Sequence, residues 1–310
     1  RTELLSADST TFAQPAIDDY AERTRETVTA WRGMSGQQGG DPARLAAAIA
    51  PKPPLTMVDG NTVRRIRLHN LGSADITLEK TAIGWQLTAP ANMLADLIEI
   101  GSITALLKAE THGDIDAAAI KRADLGLDPP RTLIELDGTT LAVGDIEPLK
   151  QSRFIEVNPG KPDARIRLVS DFALEPIDGE FTDLANKALL PFEADIASIE
   201  VPGLTVQKAA VGPGWTSQPI TDAGTSAALQ AFVDGWRAAR AIATLPPLVD
   251  AVTAKADVRI VLADGTEFRY ALIDKAGSRY LQRLDLPLSY QLESTAAERL
   301  LKLAAVPATK

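Results

Sequence analysis

The dipeptide Gly-Trp stands at Gly84-Trp85 and again at Gly214-Trp215, and each sits in a segment whose parts recur in the same order. Val63-Arg-Arg-Ile-Arg-Leu68 and Thr77-Leu-Glu-Lys80 precede the first pair; Ile196-Ala-Ser-Ile-Glu-Val201 and Thr205-Val-Gln-Lys208 precede the second. A long apolar, helix-like stretch follows each. Further on, Leu133-Ile-Glu-Leu-Asp-Gly-Thr139 matches Ile260-Val-Leu-Ala-Asp-Gly-Thr266, and Arg153-Phe-Ile-Glu-Val157 matches Arg279-Tyr-Leu-Gln-Arg283. Matches in a fixed order at nearly constant spacing describe one folding unit built twice. That confines the chain to an architecture of two similar lobes.

Each lobe reads as sheet, helix, sheet. Val63 to Leu68 and Ile76 to Lys80 alternate in the manner of half-buried strands joined at Leu71-Gly72, and Trp85-Gln-Leu87 continues them. Pro90 to Ala109 reads as a helix with Leu94, Leu97, Ile98 and Gly101 on one face and Ile100, Ile103 and Leu107 on another. A helix apolar on two faces is expected to be buried on two sides. Asp137-Gly138 between apolar runs is a strong hairpin signal, and Phe154–Val157 and Arg165–Val169 follow as strands. In the second lobe the strands are Ile196–Val201, Leu204–Lys208 and Trp215. A helix from Asp222 to Arg240 carries Leu229, Phe232, Val233 and Trp236 on one face. The second Asp-Gly hairpin joins Val258–Leu262 to Phe268–Ile273. Tyr280–Leu284, Leu288–Leu292 and a helix from Thr295 to Leu303 complete the lobe. The fold class is therefore α+β: two tandem repeats of a mostly antiparallel sheet with a packed helix.

Residues 1–50 stand outside this symmetry. Ile17 to Met34 reads as a helix, Gly33, Gly36, Gly39 and Gly40 break it, and Asp41-Pro42 starts another. Pro51, Pro53 and Pro54 then make a stiff linker. The expected domains are a helical appendage with its linker at 1–54, a first repeat at 55–190 and a second at 191–310.

Composition removes several functions. The net charge is −9, from 32 basic and 41 acidic residues, which argues against nucleic acid and against an anionic membrane surface as partners. The chain has no cysteine, so it has no disulfide, no thiolate metal site and no Cys nucleophile. No apolar run reaches the roughly 18 residues a membrane-spanning helix needs. The sequence begins at Arg1 rather than Met, and the expectation is a fragment or processed form that has lost an upstream signal or anchor.

Residues 60–305 resemble the bacterial family named domain of unknown function 4340. The resemblance rests on Ile76-Thr-Leu-Glu-Lys80, Gly84-Trp85, Pro90, Asp124-Leu-Gly-Leu-Asp-Pro-Pro130 and Val143-Gly-Asp145. In the second half it rests on Leu229-Gln-Ala-Phe-Val-Asp-Gly-Trp236 and Tyr280-Leu-Gln-Arg-Leu-Asp285. It implies an envelope-associated, periplasmic or otherwise extracytoplasmic protein, held by an N-terminal membrane anchor and accessory to ABC-type transport or gliding-associated systems. It brings protein partners and no established activity. Residues 1–50 are similar instead to the C-terminal tail of a short-chain dehydrogenase/reductase, through Arg1-Thr-Glu3, Asp19-Tyr20-Ala-Glu-Arg23, Gly36-Gln-Gln-Gly-Gly-Asp-Pro42 and Arg44-Leu-Ala-Ala-Ala48. Thr2 corresponds to that family's threonine near the cofactor. The chain carries no Gly-rich dinucleotide loop after a strand and no Tyr-x-x-x-Lys pair, so the piece reads as a fused remnant unable to bind NAD(P).

No catalytic, cofactor-binding or metal-ligating residue is singled out, and no cofactor is expected. Gly33 to Gly40 follows a helix and lacks a Lys-Ser/Thr, so it reads as a loop rather than a phosphate cradle. His69 and His112 are the two histidines, and both read as ordinary surface or satisfied side chains. Asp114-x-Asp116 resembles the opening of a calcium loop. Ala119 and Leu125 stand where its Gly and Glu belong, so it reads as an N-cap ahead of a helix over Ala117–Ala123. Gly212-Pro-Gly214 is a turn, and no Gly-x-Ser-x-Gly elbow occurs. Trp85, Trp215 and Trp236 read as core residues rather than sugar platforms. The reading is a non-catalytic interaction or scaffolding protein with a groove between its lobes. The alternatives are an envelope hydrolase using acids in that groove and an oxidoreductase-derived fusion.

Overall fold

A computed structural model describes residues 52–116, 120–147, 151–221 and 223–303. The 1–50 segment, with its two expected helices, its Gly33 to Gly40 run and its reductase resemblance, lies outside the described residues.

Alternation of apolar and polar side chains makes the first sheet. β1 (Arg65–Asn70) buries Ile66 and Leu68 and exposes Arg65 and Arg67. β2 (Ile76–Thr81) buries Ile76 and Leu78, and β3 (Gly84–Ala89) buries Trp85 and Leu87. This period of two gives one face to the core and one to solvent. There follow β4 (Met93–Leu94), helix α1 (Leu97–Ala105) and β5 (Thr111–Ile115). Then come β6 (Thr132–Leu136), β7 (Thr139–Glu147), β8 (Ser152–Val157) and β9 (Arg165–Ser170). The order across the sheet is β4-β3-β2-β1-β6-β7-β8-β9-β5.

The second sheet uses β10 (Ile196–Val201), β11 (Leu204–Lys208), β12 (Trp215–Gln218), β13 (Ala243–Leu245), β14 (Val258–Leu262), β15 (Glu267–Lys275), β16 (Ser278–Arg283) and β17 (Ser289–Leu292). Helix α2 (Ser226–Arg237) lies between β12 and β13, and α3 (Ser294–Leu301) follows β17. The order is β12-β11-β10-β14-β15-β16-β17-β13. With β4 set aside, the two sheets have the same connectivity. A three-stranded meander leads to a helix, then to a strand at the far edge, then to four strands that start again beside the first. The strand pairings in both sheets are antiparallel. Both sheets belong to one compact unit, Pro53–Lys310. A continuous apolar core runs through it from Leu55 to Leu300.

The recurring Gly-Trp has a backbone cause. Gly84 and Gly214 sit at φ 123° and φ 122°, where an L side chain is strained, at the turns that deliver Trp85 and Trp215 opposite Lys80 and Lys208. A Cβ added at either glycine meets nothing within 4 Å, so the requirement is conformational rather than steric. Gly84→Ala and Gly214→Ala are each expected to lower stability by about 1–3 kcal/mol in urea titrations. Retention of the wild-type midpoint by either variant would remove this account of the motif.

The Asp124–Pro130 segment and Val143-Gly-Asp145 explain each other. Leu125 and Leu127 pack with Ala142 and Ile166 in a small second core. A Cβ on Gly144 would lie 2.2 Å from the Leu125 carbonyl oxygen, so only glycine lets the segment approach β7 this closely.

Several expectations change. The helix expected over Pro90–Ala109 begins only at Leu97, because Met93 and Leu94 pair with Leu87 and Gln86 as β4 and Asp96 caps the helix by accepting from the Ile98 N–H at 2.9 Å. It ends at Ala105 and continues as a 3-10 turn over Leu106–Lys108. It is buried on one side, not two: Ile100 and Ile103 are in the core, while Leu97 and Ile98 are 64% and 73% exposed. Asp114 caps no described helix. It lies in β5 with its carboxylate 3.1 Å from Arg167 Nε on β9, since the edge pairing outweighs the local cap signal. The following residues 117–119 lie outside the described set, and a 3-10 turn over Arg122–Leu125 is what precedes Gly126. Strands β4 and β13 are too short to be read from sequence, and β5, Thr111-His-Gly-Asp-Ile115, carries only one large apolar residue. α2 runs from Ser226, capped by Thr225, to Arg237 rather than over the longer range expected.

Candidate functional site

The place where α1 meets the edge of the second sheet is a cleft of about 800 Å³. Glu99, Ser102, Ala105 and Leu106 line it from α1 and the 3-10 turn that continues it. Phe172 and Ala173 line it from the 3-10 segment Asp171–Ile177 that follows β9. Gly179, Asp183 and Lys187 come from the connection to the second sheet, and Ile242, Ala243 and Thr244 from β13 and the residue before it.

Each wall is held by a specific device. The Asp171–Ile177 segment is clamped by Arg153 of β8, which is 6% exposed. Its guanidinium donates to both Asp178 oxygens at 2.8 and 2.6 Å, and its Nε lies 2.7 Å from Asp171 Oδ1. One planar fork thus grips both ends of the segment. The hydrogen bond to Asp178, opposed by burial, raises the Arg153 pKa above the ordinary guanidinium value. Asp183 is committed to its own turn: its Oδ2 accepts from the Glu180 N–H at 2.8 Å. A Cβ on Gly179 would lie 2.4 Å from that same oxygen, so the turn is built tightly around the carboxylate.

Two ion pairs tie α1 and its cap to the second lobe, one from the segment entering the second sheet and one from the residues between α2 and β13. Lys187 Nζ is 3.3 Å from Glu99 Oε1, with both side chains about three-quarters buried. Arg240 Nη2 is 3.5 Å from Asp96 Oδ2, the buried cap of α1. The Ala241 N–H donates to the Lys187 carbonyl, which sets β13 against α1. Inside the cleft one group is unmet. Thr244 is 4% exposed, and its Oγ1 has no hydrogen-bond partner. Phe172 and Ile242 are largely exposed apolar side chains on the cleft wall, at 77% and 58%.

The carboxylates of the cleft are therefore engaged, Glu99 by Lys187 and Asp183 by backbone. That arrangement suits positioning and binding more than proton transfer. Trp85 and Trp236 are buried and Trp215 is partly buried against the core, its Nε1 donating to Gln230 Oε1 at 3.0 Å. None of the three lines the cleft. His69 Nδ1 lies 3.0 Å from Asp75 Oδ1 across the β1–β2 hairpin and Nε2 3.8 Å from Glu135 Oε1 on β6, on the solvent face of the sheet. His112 lies on β5. Among the described residues no group of three or more His, Cys, Asp or Glu side chains is placed to hold a metal ion. No described helix is long and apolar enough to cross a membrane. Sequence reasoning placed a groove between the lobes but named none of its residues. Lys187 and Thr244 stand in short, non-periodic stretches, and only the pairing of β13 with β17 brings Thr244 to the cleft.

A model of the family described as Domain of unknown function (DUF4340) matches residues 85–259, from β3 of the first sheet into β14 of the second. The match is shorter than the 60–305 read from motifs and runs across both sheets. No curated protein and no solved structure matches the chain.

Proposed function

Since the chain belongs to the family described as Domain of unknown function (DUF4340), we propose that it is a doubled, non-catalytic interaction module. It binds a protein partner in the cleft between α1 and β13, at the bacterial cell envelope, as an accessory to a transport or gliding-associated system. The observation that carries the reading is the two-sided wall of the cleft, with Glu99, Ala105 and Phe172 on one side and Ile242 to Thr244 on the other. Ligand sites favour such seams between packed elements. The exposed Phe172 and Ile242 supply apolar contact area at the site, and buried aromatic anchors carry much of the energy of protein interfaces.

Site-specific photo-cross-linking in the native host tests it. A benzophenone side chain at position 172 is expected to give a discrete protein adduct, which the cleft-filling Ala105→Trp variant removes. The same group at position 252, where Val252 is 93% exposed away from the cleft lining, is expected to give none. Equal adducts from both positions, or an adduct at 172 that survives Ala105→Trp, would overturn the reading. Recovery of the chain only from the cytoplasm would overturn its envelope assignment.

A further inference from the structure

We infer that the cleft recognises an extended, uncharged peptide segment with apolar side chains, an inference that rests on the interaction reading above. Three features of the cleft point to this chemistry. Its walls offer Ala105, Leu106, Phe172, Ala173 and Ile242, which are apolar, and the two alanines leave room beside the larger side chains. Lys187 and Glu99, both on the lining, lie 3.3 Å apart and pair with each other. A charged ligand would have to compete with that pair. An extended peptide can meet both without bringing a net charge, because the C=O and N–H of one residue point to the same side, the first toward the ammonium and the second toward the carboxylate. The third feature is Thr244 Oγ1, buried and unpartnered, which both donates and accepts. A buried hydroxyl without a partner costs free energy, and a second peptide unit in the cleft would remove that cost.

The backbone supports the same occupant. β13 is the terminal strand of its sheet, paired with β17 on one side and with no described strand on the other. The cleft wall at Ile242–Thr244 is therefore extended chain, the shape against which an extended peptide aligns. A sugar would need many hydrogen-bonding groups at once. Asp183 Oδ2 is already held by Glu180, and Ser102 Oγ donates to the Ile98 carbonyl at 3.1 Å. The volume of about 800 Å³ is that of a site for a drug-sized ligand or a few residues of peptide.

The test uses the full chain and the blocked peptide N-acetyl-Ala-Leu-Ala-Leu-amide, with its free-acid form as the charged comparison, followed by calorimetry and amide NMR. Saturable binding of the blocked form is expected, with shifts centred on residues 105, 187 and 244 and weaker binding of the free acid. Thr244→Val keeps the shape and removes the hydroxyl, and is expected to weaken binding by about five- to twentyfold. Ala105→Trp, at an exposed helix position, is expected to abolish it. No saturable binding up to about 5 mM overturns the inference. So does equal affinity of wild type and Ala105→Trp, or tighter binding of the free acid. If the peptides fail while the position-172 adduct persists, only the ligand class falls; if both fail, the interaction reading falls with it.

Discussion

Trp236→Ala is expected to lower the free energy of unfolding by about 3–5 kcal/mol, as for other large buried aromatics. The ring is fully buried where α2 packs on α3 and the second sheet. Its Nε1 donates to the Leu300 carbonyl at 3.0 Å, and its centroid lies 6.4 Å from that of Tyr270, whose own hydroxyl donates to the Leu189 carbonyl. Truncation therefore loses apolar area, opens a cavity and orphans a buried carbonyl. Trp236→Phe keeps much of the apolar area but loses the hydrogen bond and the fused ring, so its cost is expected to be smaller, about 1–2 kcal/mol. Denaturant titration followed by far-UV circular dichroism measures both. Hydrogen exchange should place the weakening in α2 and α3. A loss below about 1 kcal/mol for Trp236→Ala would mean the ring is not a core element, and a ligand role would return.

The matching position of the first lobe behaves differently, and that difference is where the site lies. After β9 the chain forms the 3-10 segment Asp171–Ile177, not a helix like α3, and that segment packs on α1. The buried face of α1 offers Ile100 and Ile103, followed by Leu107, where α2 offers Leu229, Phe232 and Trp236. One lobe closes its helix junction with a large aromatic; the other leaves a cleft beside it and meets the second sheet there.

What the sequence made legible follows from period and turn chemistry. Alternation in β1, β2, β10 and β11 and the two Asp-Gly hairpins are local signals, strong enough to survive packing. The paired Gly-Trp carried more than order, since both glycines hold the same unusual φ. The α1 start was misread because the apolar run through Leu94, Leu97 and Ile98 hid Asp96, a local N-cap signal. The rest of the division is tertiary, from β4 pairing with β3 and from Asp96 meeting Arg240. The cleft was illegible for the same reason. Glu99, Lys187 and Thr244 are distant in sequence, and nothing about a single Thr in a three-residue strand marks it as buried and unpartnered.

Arg122→Ala is expected to be among the most damaging charge removals, at about 3 kcal/mol, because it strands a carboxylate. Glu156 of β8 is 2% exposed, and Arg122 Nη2 lies 2.6 Å from its Oε2. The second lobe meets the same structural demand without charge. Gln282 of β16, the residue matching Glu156, is fully buried. Its Oε1 accepts from the Leu248 and Val249 N–H groups at 2.8 and 2.9 Å, and its Nε2 donates to the Val249 carbonyl at 2.7 Å. In both lobes one buried polar side chain ties down the segment ahead of the last four strands. Glu156→Gln should therefore cost much less than Arg122→Ala, about 1 kcal/mol, since Arg122 is 38% exposed and can turn to water. Replacing both partners with apolar residues, Arg122→Met with Glu156→Leu, should recover most of the loss. If Glu156→Gln proves as harmful as Arg122→Ala, the charge itself is required, and the equivalence of Glu156 and Gln282 fails.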